Sequence, residues 1–254
     1  MYSILCDYDG TIINDNNSID EKYIDMLKDI CDNNIFFLLS SSSYNELINF
    51  KNKYSLNINI YSLSSNIMYI NNEVKFTGLS KYIINTLIND YNRYIYTAYS
   101  ESANDTLIYR FQDRLDMFYP KNNRKNIIHV DDDRPSVTFV LDNRITEDFY
   151  KRIHRFHLGY QSIAKDKNRE IIMVFCKRIS KSDGYYYLKD EYPNNKIIGI
   201  TDSFFDYDMI DKCDIKIAMR NGDDKIKNNS DIITKYDNNN GGAIIELYNI
   251  CHLK

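Results

Sequence analysis

The chain has 254 residues, 43% hydrophobic and 27% charged, enough to bury a core in one large domain or two modest ones. Its formal net charge of -4 excludes a general nucleic-acid binder, which needs a basic footprint. Five cysteines (Cys6, Cys31, Cys176, Cys213 and Cys251), an odd number without close pairing, exclude a disulfide framework or zinc knuckle and imply a reducing cytoplasm, and no basic segment followed by a long apolar stretch announces a signal peptide or membrane span.

In chain order, Ile4-Leu5-Cys6 predicts a short buried strand that runs into Asp7-Tyr8-Asp9-Gly10-Thr11, two aspartates one residue apart before a glycine. A turn at Gly10 lets both carboxylates converge, one to attack a phosphoryl group and one to move a proton. Ser18 and Asp20 are helix-start residues, and Ile24, Leu27 and Ile30 recur at helical spacing. Ile35 to Leu39 reads as a second strand, ending in Ser40 to Ser43. Strand, helix, strand favours a parallel α/β sheet, with ligands beyond the carboxyl ends of the strands.

The middle has another rhythm. A helix is expected from Lys81 to Asn92, strands at Tyr94–Thr97, Val137–Leu141 and Ile171–Phe175, and a helix at Glu147–Phe156. This stretch lacks paired carboxylates at strand ends and reads as an inserted α+β cap. The parallel pattern resumes with a helix at Asp183–Tyr192, a strand at Ile197–Thr201 entering Asp202, a strand at Ile215–Met219 and a closing helix at Ala243–Leu253. The run Asp131-Asp132-Asp133 reads as a solvated loop rather than a second metal site, Arg110 and Arg114 as surface residues, and His129, His154, His157 and His252 show no ligand spacing. Asp237 to Asn240 belongs to a chain-wide Asn bias and is weak evidence of disorder.

Four elements at separate strand or loop ends carry chemistry: Asp7 with Asp9, the Ser41 region, Lys181, and Asp202 with Asp206. Together they supply an oxyanion nucleophile, hydroxyl and ammonium donors for phosphate oxygens, and carboxylates for a hard cation. The constellation resembles the haloacid dehalogenase-like phosphatases, in particular the Cof-like branch with a type IIB cap. Asp7 to Thr11 is similar to the family's first motif, Ser41 to its second, Ile179-Ser180-Lys181-Ser182 to its lysine motif, and Thr201-Asp202 through Asp206 to Met209 to its acidic motif. Ala218-Met219-Arg220-Asn221-Gly222 and Asn240-Gly241-Gly242-Ala243 also follow the branch.

The resemblance implies a Rossmann-like parallel-sheet core from residues 1–79 and 178–254, with an α+β cap at 80–177. It implies a magnesium-dependent phosphatase acting on a small phosphorylated metabolite such as a sugar phosphate, in the cytoplasm, with no nucleic-acid or membrane partner. Asp7 would form an aspartyl-phosphate and Asp9 would serve as acid and then base. Asp7, the Asp9 carbonyl, Asp202 and Asp206 would hold Mg2+, while Ser41, Ser42 and Lys181 would bind phosphate. The chain departs from the family at Ser42 and Ser43, where Gly and Arg are usual, at Thr201 for Gly, at Phe205 for Asn, and at Ser65-Asn66 for Asn-Gly. Two further readings follow: a phosphosugar mutase of the same fold, and a catalytically degenerate phosphate-ligand binder.

Overall fold

The computed structural model describes residues 1–63, 66–102, 105–109, 129–176 and 180–252, and the backbone alone for 124–127. Arg110, Arg114, Ser65 and Ile179 of the sequence reading, and its domain boundary between 177 and 178, lie outside the described residues. The chain forms two compact units, Met1–Ser64 with Met68–Glu73 and Ile179–Lys254, and Ser65–Ile67 with Val74–Arg178.

In the first unit the chain runs β1 (Tyr2–Asp7), α1 (Glu21–Asn33), β2 (Ile35–Ser40), α2 (Tyr44–Tyr54) and β3 (Asn59–Ser62), and β4 (Ile67–Ile70) and β5 (Glu73–Lys75) follow where the chain passes between the units. The second unit adds α3 (Lys81–Tyr91), β6 (Ile95–Glu101), β7 (Thr106–Tyr109), β8 (Arg124–Ile127), β9 (Ser136–Asp142), α4 (Thr146–Arg155), β10 (Gly159–Lys165) and β11 (Arg169–Phe175). The chain then returns through α5 (Ser182–Glu191), β12 (Lys196–Thr201), α6 (Tyr207–Ile210), β13 (Ile215–Ala218), α7 (Asp224–Asn228), β14 (Ile232–Ile233) and α8 (Gly242–His252).

Among the described residues the first sheet has the order β14-β13-β12-β1-β2-β3-β4-β5. Its inner strands are parallel, with β1 seated between β2 and β12. They are apolar on both faces, as a sheet covered on both sides requires. Alternation sorts the side chains. Ile4, Cys6, Leu38, Ile198 and Ile200 join the cluster that holds Leu27 and Ile30 of α1 and Leu247 of α8. Leu5, Phe37, Leu39 and Ile197 pack on the other side with Leu188 of α5.

The second unit's sheet has the order β10-β11-β9-β6-β7-β8, antiparallel except for the parallel pair β7 and β8. Apolar residues of α3, α4 and the sheet make its core, where Phe149 meets Phe139 and Tyr91 edge-on at 5.1 and 5.0 Å. The acidic run has a structural use: Asp133 Oδ1 accepts from Lys81 N at 2.9 Å at the start of α3, and Lys81 Nζ donates to Asp131 O at 2.8 Å. Asp132 Oδ2 lies 3.5 Å from Arg134, the largest fully buried side chain described. Arg134 also donates to Asp105 Oδ1 at 2.6 Å and to Ser100 Oγ and O at 3.2 and 3.3 Å.

The Asp237–Asn240 run is ordered. Asp237 accepts from Asn240 N to cap a 3₁₀ turn, and Asn238 and Asn239 each donate to Asp15 at 2.9 Å. No helix among the described residues is long and apolar enough to cross a membrane. All five cysteines are free thiols.

Candidate active site

The seven residues singled out by sequence, Asp7, Asp9, Ser41, Ser42, Lys181, Asp202 and Asp206, all belong to the first unit. Register explains why they gather. Asp7 pairs with Leu39, Cys6 with Ile200 and Thr201 with Ala218, so the carboxyl ends of β1, β2, β12 and β13 share one edge of the sheet. Asp7 continues the side-chain parity of Leu5, toward the face that α5 covers, and Lys181 is the N-cap residue of α5. The Lys181 ammonium pairs with Asp7 Oδ1 and, at 2.7 Å, with Asp206 Oδ2. Asp7 is 4% exposed.

After Asp7 the chain makes a single π-type turn, Tyr8–Ile12, in which Asp9 is extended and Gly10 takes φ +68°. Thr11 Oγ1 donates to Asp7 Oδ2 at 3.1 Å. Gly10 is required twice: its φ is left-handed, and a Cβ there would overlap the Asp202 carboxylate. Gly10→Ala is therefore expected to displace Asp202 and lower turnover on the order of 100-fold, with folded-state circular dichroism retained. Steady-state kinetics on the folded variant checks this, and activity within twofold of wild type would refute it.

Asp9 is exposed, and its Oδ2 accepts from Ser40 Oγ at 3.0 Å and Ser42 Oγ at 3.4 Å. Ser41 is exposed at the same strand end, and Ser43 caps α2 by accepting from Glu46 N at 3.2 Å. Thr201 Oγ1 donates to the Asp206 carboxylate at 2.7 Å, so the hydroxyl that replaces the usual glycine orients the second acidic residue. Ser40, Thr11 and Thr201 received no role from sequence. Their signal was their place beside Asp7, Asp9 and Asp202 at strand ends, which four consecutive serines and a β-branched strand residue conceal.

The loop after β13 also went unassigned. Asn221 Nδ2 donates to Gly10 O at 2.8 Å and its Oδ1 accepts from Asn238 N at 3.1 Å. Asp223 N donates to Asp202 O at 2.9 Å, and a Cβ on Gly222 would sit 2.8 Å from that same oxygen. One short loop thus braces the turns that carry Asp9 and Asp202.

Burial pushes the Asp7 carboxyl up to about 7, against the pull of Lys181, with Asp206 and Asp202 adding to the rise. Burial likewise raises Asp202, although backbone hydrogen bonding draws it down. Burial lowers Lys181, but Asp7 and Asp206 outweigh it and leave its pKa above the ordinary lysine value. Two carboxyls pressed together with one ammonium between several acids leave room for a further positive charge.

Among the described residues no three His, Cys, Asp or Glu side chains converge as a metal cage. The carboxylates that act on Asp7 are those of Asp206 and Asp202, and Asp206 Oδ2 accepts from Lys181 and Thr201. A pair of carboxylates without nitrogen or sulfur fits a hard cation that keeps several waters, the habit of Mg2+.

The sequence profile of the haloacid dehalogenase-like hydrolases matches residues 4–245. No curated protein matches the chain. Among solved structures it is similar to TM0651 from Thermotoga maritima, at 18% identity and TM-score 0.76, covering 97% of each chain. It is similar to a haloacid dehalogenase-like hydrolase from Bacteroides thetaiotaomicron at 16% identity and TM-score 0.74, covering 98% of this chain and 100% of that one. BT1666 from Bacteroides thetaiotaomicron, studied among phosphatases of the haloalkanoate superfamily, shares 15% identity at TM-score 0.66, covering 100% of this chain and 96% of that one. These likenesses establish a common fold, and the profile, spanning β1 to α8, establishes that the chain belongs to the haloacid dehalogenase-like hydrolases.

Proposed function

We propose that the protein is a magnesium-dependent phosphatase that hydrolyses small phosphomonoesters, sugar phosphates foremost, through an aspartyl-phosphate on Asp7. The observation that carries this reading is the buried Asp7 carboxylate, gripped at Oδ1 by Lys181 and at Oδ2 by Thr11, facing Asp202 at the carboxyl edge of a parallel sheet. Residues 1–79 and 178–254 act as the catalytic core and 80–177 as the cap that selects substrate. The free thiols accord with a cytoplasmic setting.

In the first step an Asp7 carboxylate oxygen attacks phosphorus, the ester P–O bond breaks, and Asp9 delivers a proton to the leaving oxygen. Asp9 suits this work because it is exposed, while Ser40 and Ser42 hold Oδ2 and fix the carboxyl's orientation. In the second step Asp9 takes a proton from water, which attacks phosphorus and releases Asp7 and inorganic phosphate. Lys181 binds the transferring phosphoryl oxygens and, tied to Asp206, remains fixed as charge moves. Ser41 offers its hydroxyl to the same group, and Ser42 does so when its single proton turns from Asp9 Oδ2 to the bound phosphoryl oxygen. When bound, Mg2+ would be held by Asp7, Asp202 and the Asp9 carbonyl with Asp206 beside them, and would neutralise charge on the phosphoryl group.

Phosphate release from sugar phosphates, nucleotides and an aryl phosphate, measured with Mg2+ and with chelator, tests the reading. Release that needs the cation is expected; equal release in chelator would refute it. Isomerised sugar phosphate without free phosphate would transfer the assignment to a mutase, and tight binding without turnover would transfer it to a ligand-binding protein.

A further inference from the structure

Between Asp202 and Asp206 the chain makes a 3₁₀ turn at Phe204–Asp206 that carries two adjacent phenylalanines with opposite fates. Phe204 stacks on Tyr207 at 5.0 Å, with Lys225 Nζ 5.4 Å from its ring centroid. Phe205 is 100% exposed. Among the described residues the other large hydrophobics with more than half of their surface exposed are Met1, Tyr82, Ile163, Tyr186 and Ile233, none of them in a turn flanked by site carboxylates. A phenylalanine has no hydroxyl for water to solvate, so its full exposure forgoes burial without a polar return.

The ring is not loose on its backbone. Phe205 N donates to Ser203 Oγ at 3.2 Å, Phe204 N to Asp223 Oδ2 at 2.7 Å, and Asp206 N to Ser203 O at 3.1 Å. The next residue, Asp206, is anchored through its carboxylate to Lys181 and Thr201. The turn therefore presents a bare aromatic face one residue from a carboxylate that shares its ammonium with Asp7.

We infer that Phe205 determines specificity by stacking on the leaving group, so that the enzyme favours phosphomonoesters with a ring to lay on that face over acyclic polyol phosphates. The chemical class is a phosphate borne by a pyranose, nucleoside or aryl ring, each of which offers a flat surface with apolar C–H or π character. The ring adds contact area that an acyclic chain cannot match at equal entropy cost. This inference rests on the phosphatase reading.

The test compares kcat/KM for a hexopyranose phosphate, a nucleoside monophosphate and an aryl phosphate with that for glycerol phosphate, in wild type, Phe205→Ala and Phe205→Tyr. In Phe205→Ala the ring-bearing substrates are expected to lose about 10-fold, chiefly through a higher KM, which is the size of a single aromatic contact. Glycerol phosphate should change less than twofold, and Phe205→Tyr should keep the wild-type ratio. Equal effects on ring-bearing and acyclic substrates, or no effect on either, would overturn the specificity role and leave the phosphatase reading standing. A change of oligomeric state in Phe205→Ala without a change in substrate ratio would make the ring a subunit contact and also overturn it. Wild-type silence on the whole panel would bring down the phosphatase reading and this inference with it.

Discussion

Asp7→Asn is expected to abolish phosphate release, by on the order of 10^4-fold or more, while the fold persists. The amide retains the shape of the carboxyl but has no anionic oxygen to attack phosphorus, and residues acting as one unit lose nearly all their effect together. The same substitution should raise thermal stability of the chelator-treated protein at alkaline pH. The sign follows from burial and the neighbouring acids, which raise Asp7 from an unfolded value of 3.8 to about 7. A carboxyl raised on folding favours the native state below its unfolded pKa, and this contribution is lost as pH rises through the folded value. Melting of metal-free wild type should therefore fall from pH 5 to pH 8 relative to Asp7→Asn, and the two curves should converge near pH 4. Retained turnover in the variant would remove Asp7 from the nucleophile's role. A stability gap that widens toward acid pH would contradict the electrostatic account.

Arg134→Leu is expected to be the most damaging single change in the second unit. Its guanidinium is 2% exposed and touches Asp105, Asp132 and Ser100 through three nitrogens, while its backbone exchanges hydrogen bonds with Leu79 at 2.6 and 3.0 Å. Removing one partner of a fully buried ion pair costs about 3–5 kcal/mol; here Asp105 is 16% and Asp132 66% exposed, so water recovers part of the loss and about 2–3 kcal/mol is expected. Arg134→Lys should recover only part of this, since a single ammonium cannot reproduce the guanidinium fork. Urea unfolding followed by circular dichroism measures both variants. A loss under about 1 kcal/mol for the leucine variant would show that the pair contributes little.

The first unit was readable from sequence wherever a strand is buried on both faces. Ile4–Cys6, Ile35–Leu39 and Ile197–Thr201 stand out as apolar runs and are β1, β2 and β12. Other strands left less trace: Asn59–Ser62 is buried at Ile60, Tyr61 and Ser62 but is four residues long with a polar residue at each end, and β10 is an edge strand whose residues from Gln161 to Lys165 are exposed, so its sequence owes little to burial. In the candidate site, Asp7, Asp9, Lys181, Asp202 and Asp206 could be singled out because their order and spacing along the chain follow the family's motifs. Their supports could not: no pattern in Ser40 to Ser43 tells which hydroxyl meets Asp9, and Asn221 reaches Gly10 across a separation that only the fold closes. Asp237 to Asn240 shows the opposite error of composition, where an apparently featureless run is a capped turn clamped to Asp15.

The seat of β1 between β2 and β12 has a consequence for how the molecule comes into being. Ile4 lies beside Phe36 on one side and beside Ile198 on the other, so β1 meets one neighbour soon after it is made and waits for the second until the whole of the intervening chain has followed. During that interval one flank of β1 offers unpaired amides and carbonyls, and the long closure that ends the wait is slow because its entropy must be spent before any contact repays it. Lys181 and Asp202 arrive with the same late segment. The nascent protein therefore carries Asp7 without its ammonium, and the site comes together only after β12 has been made.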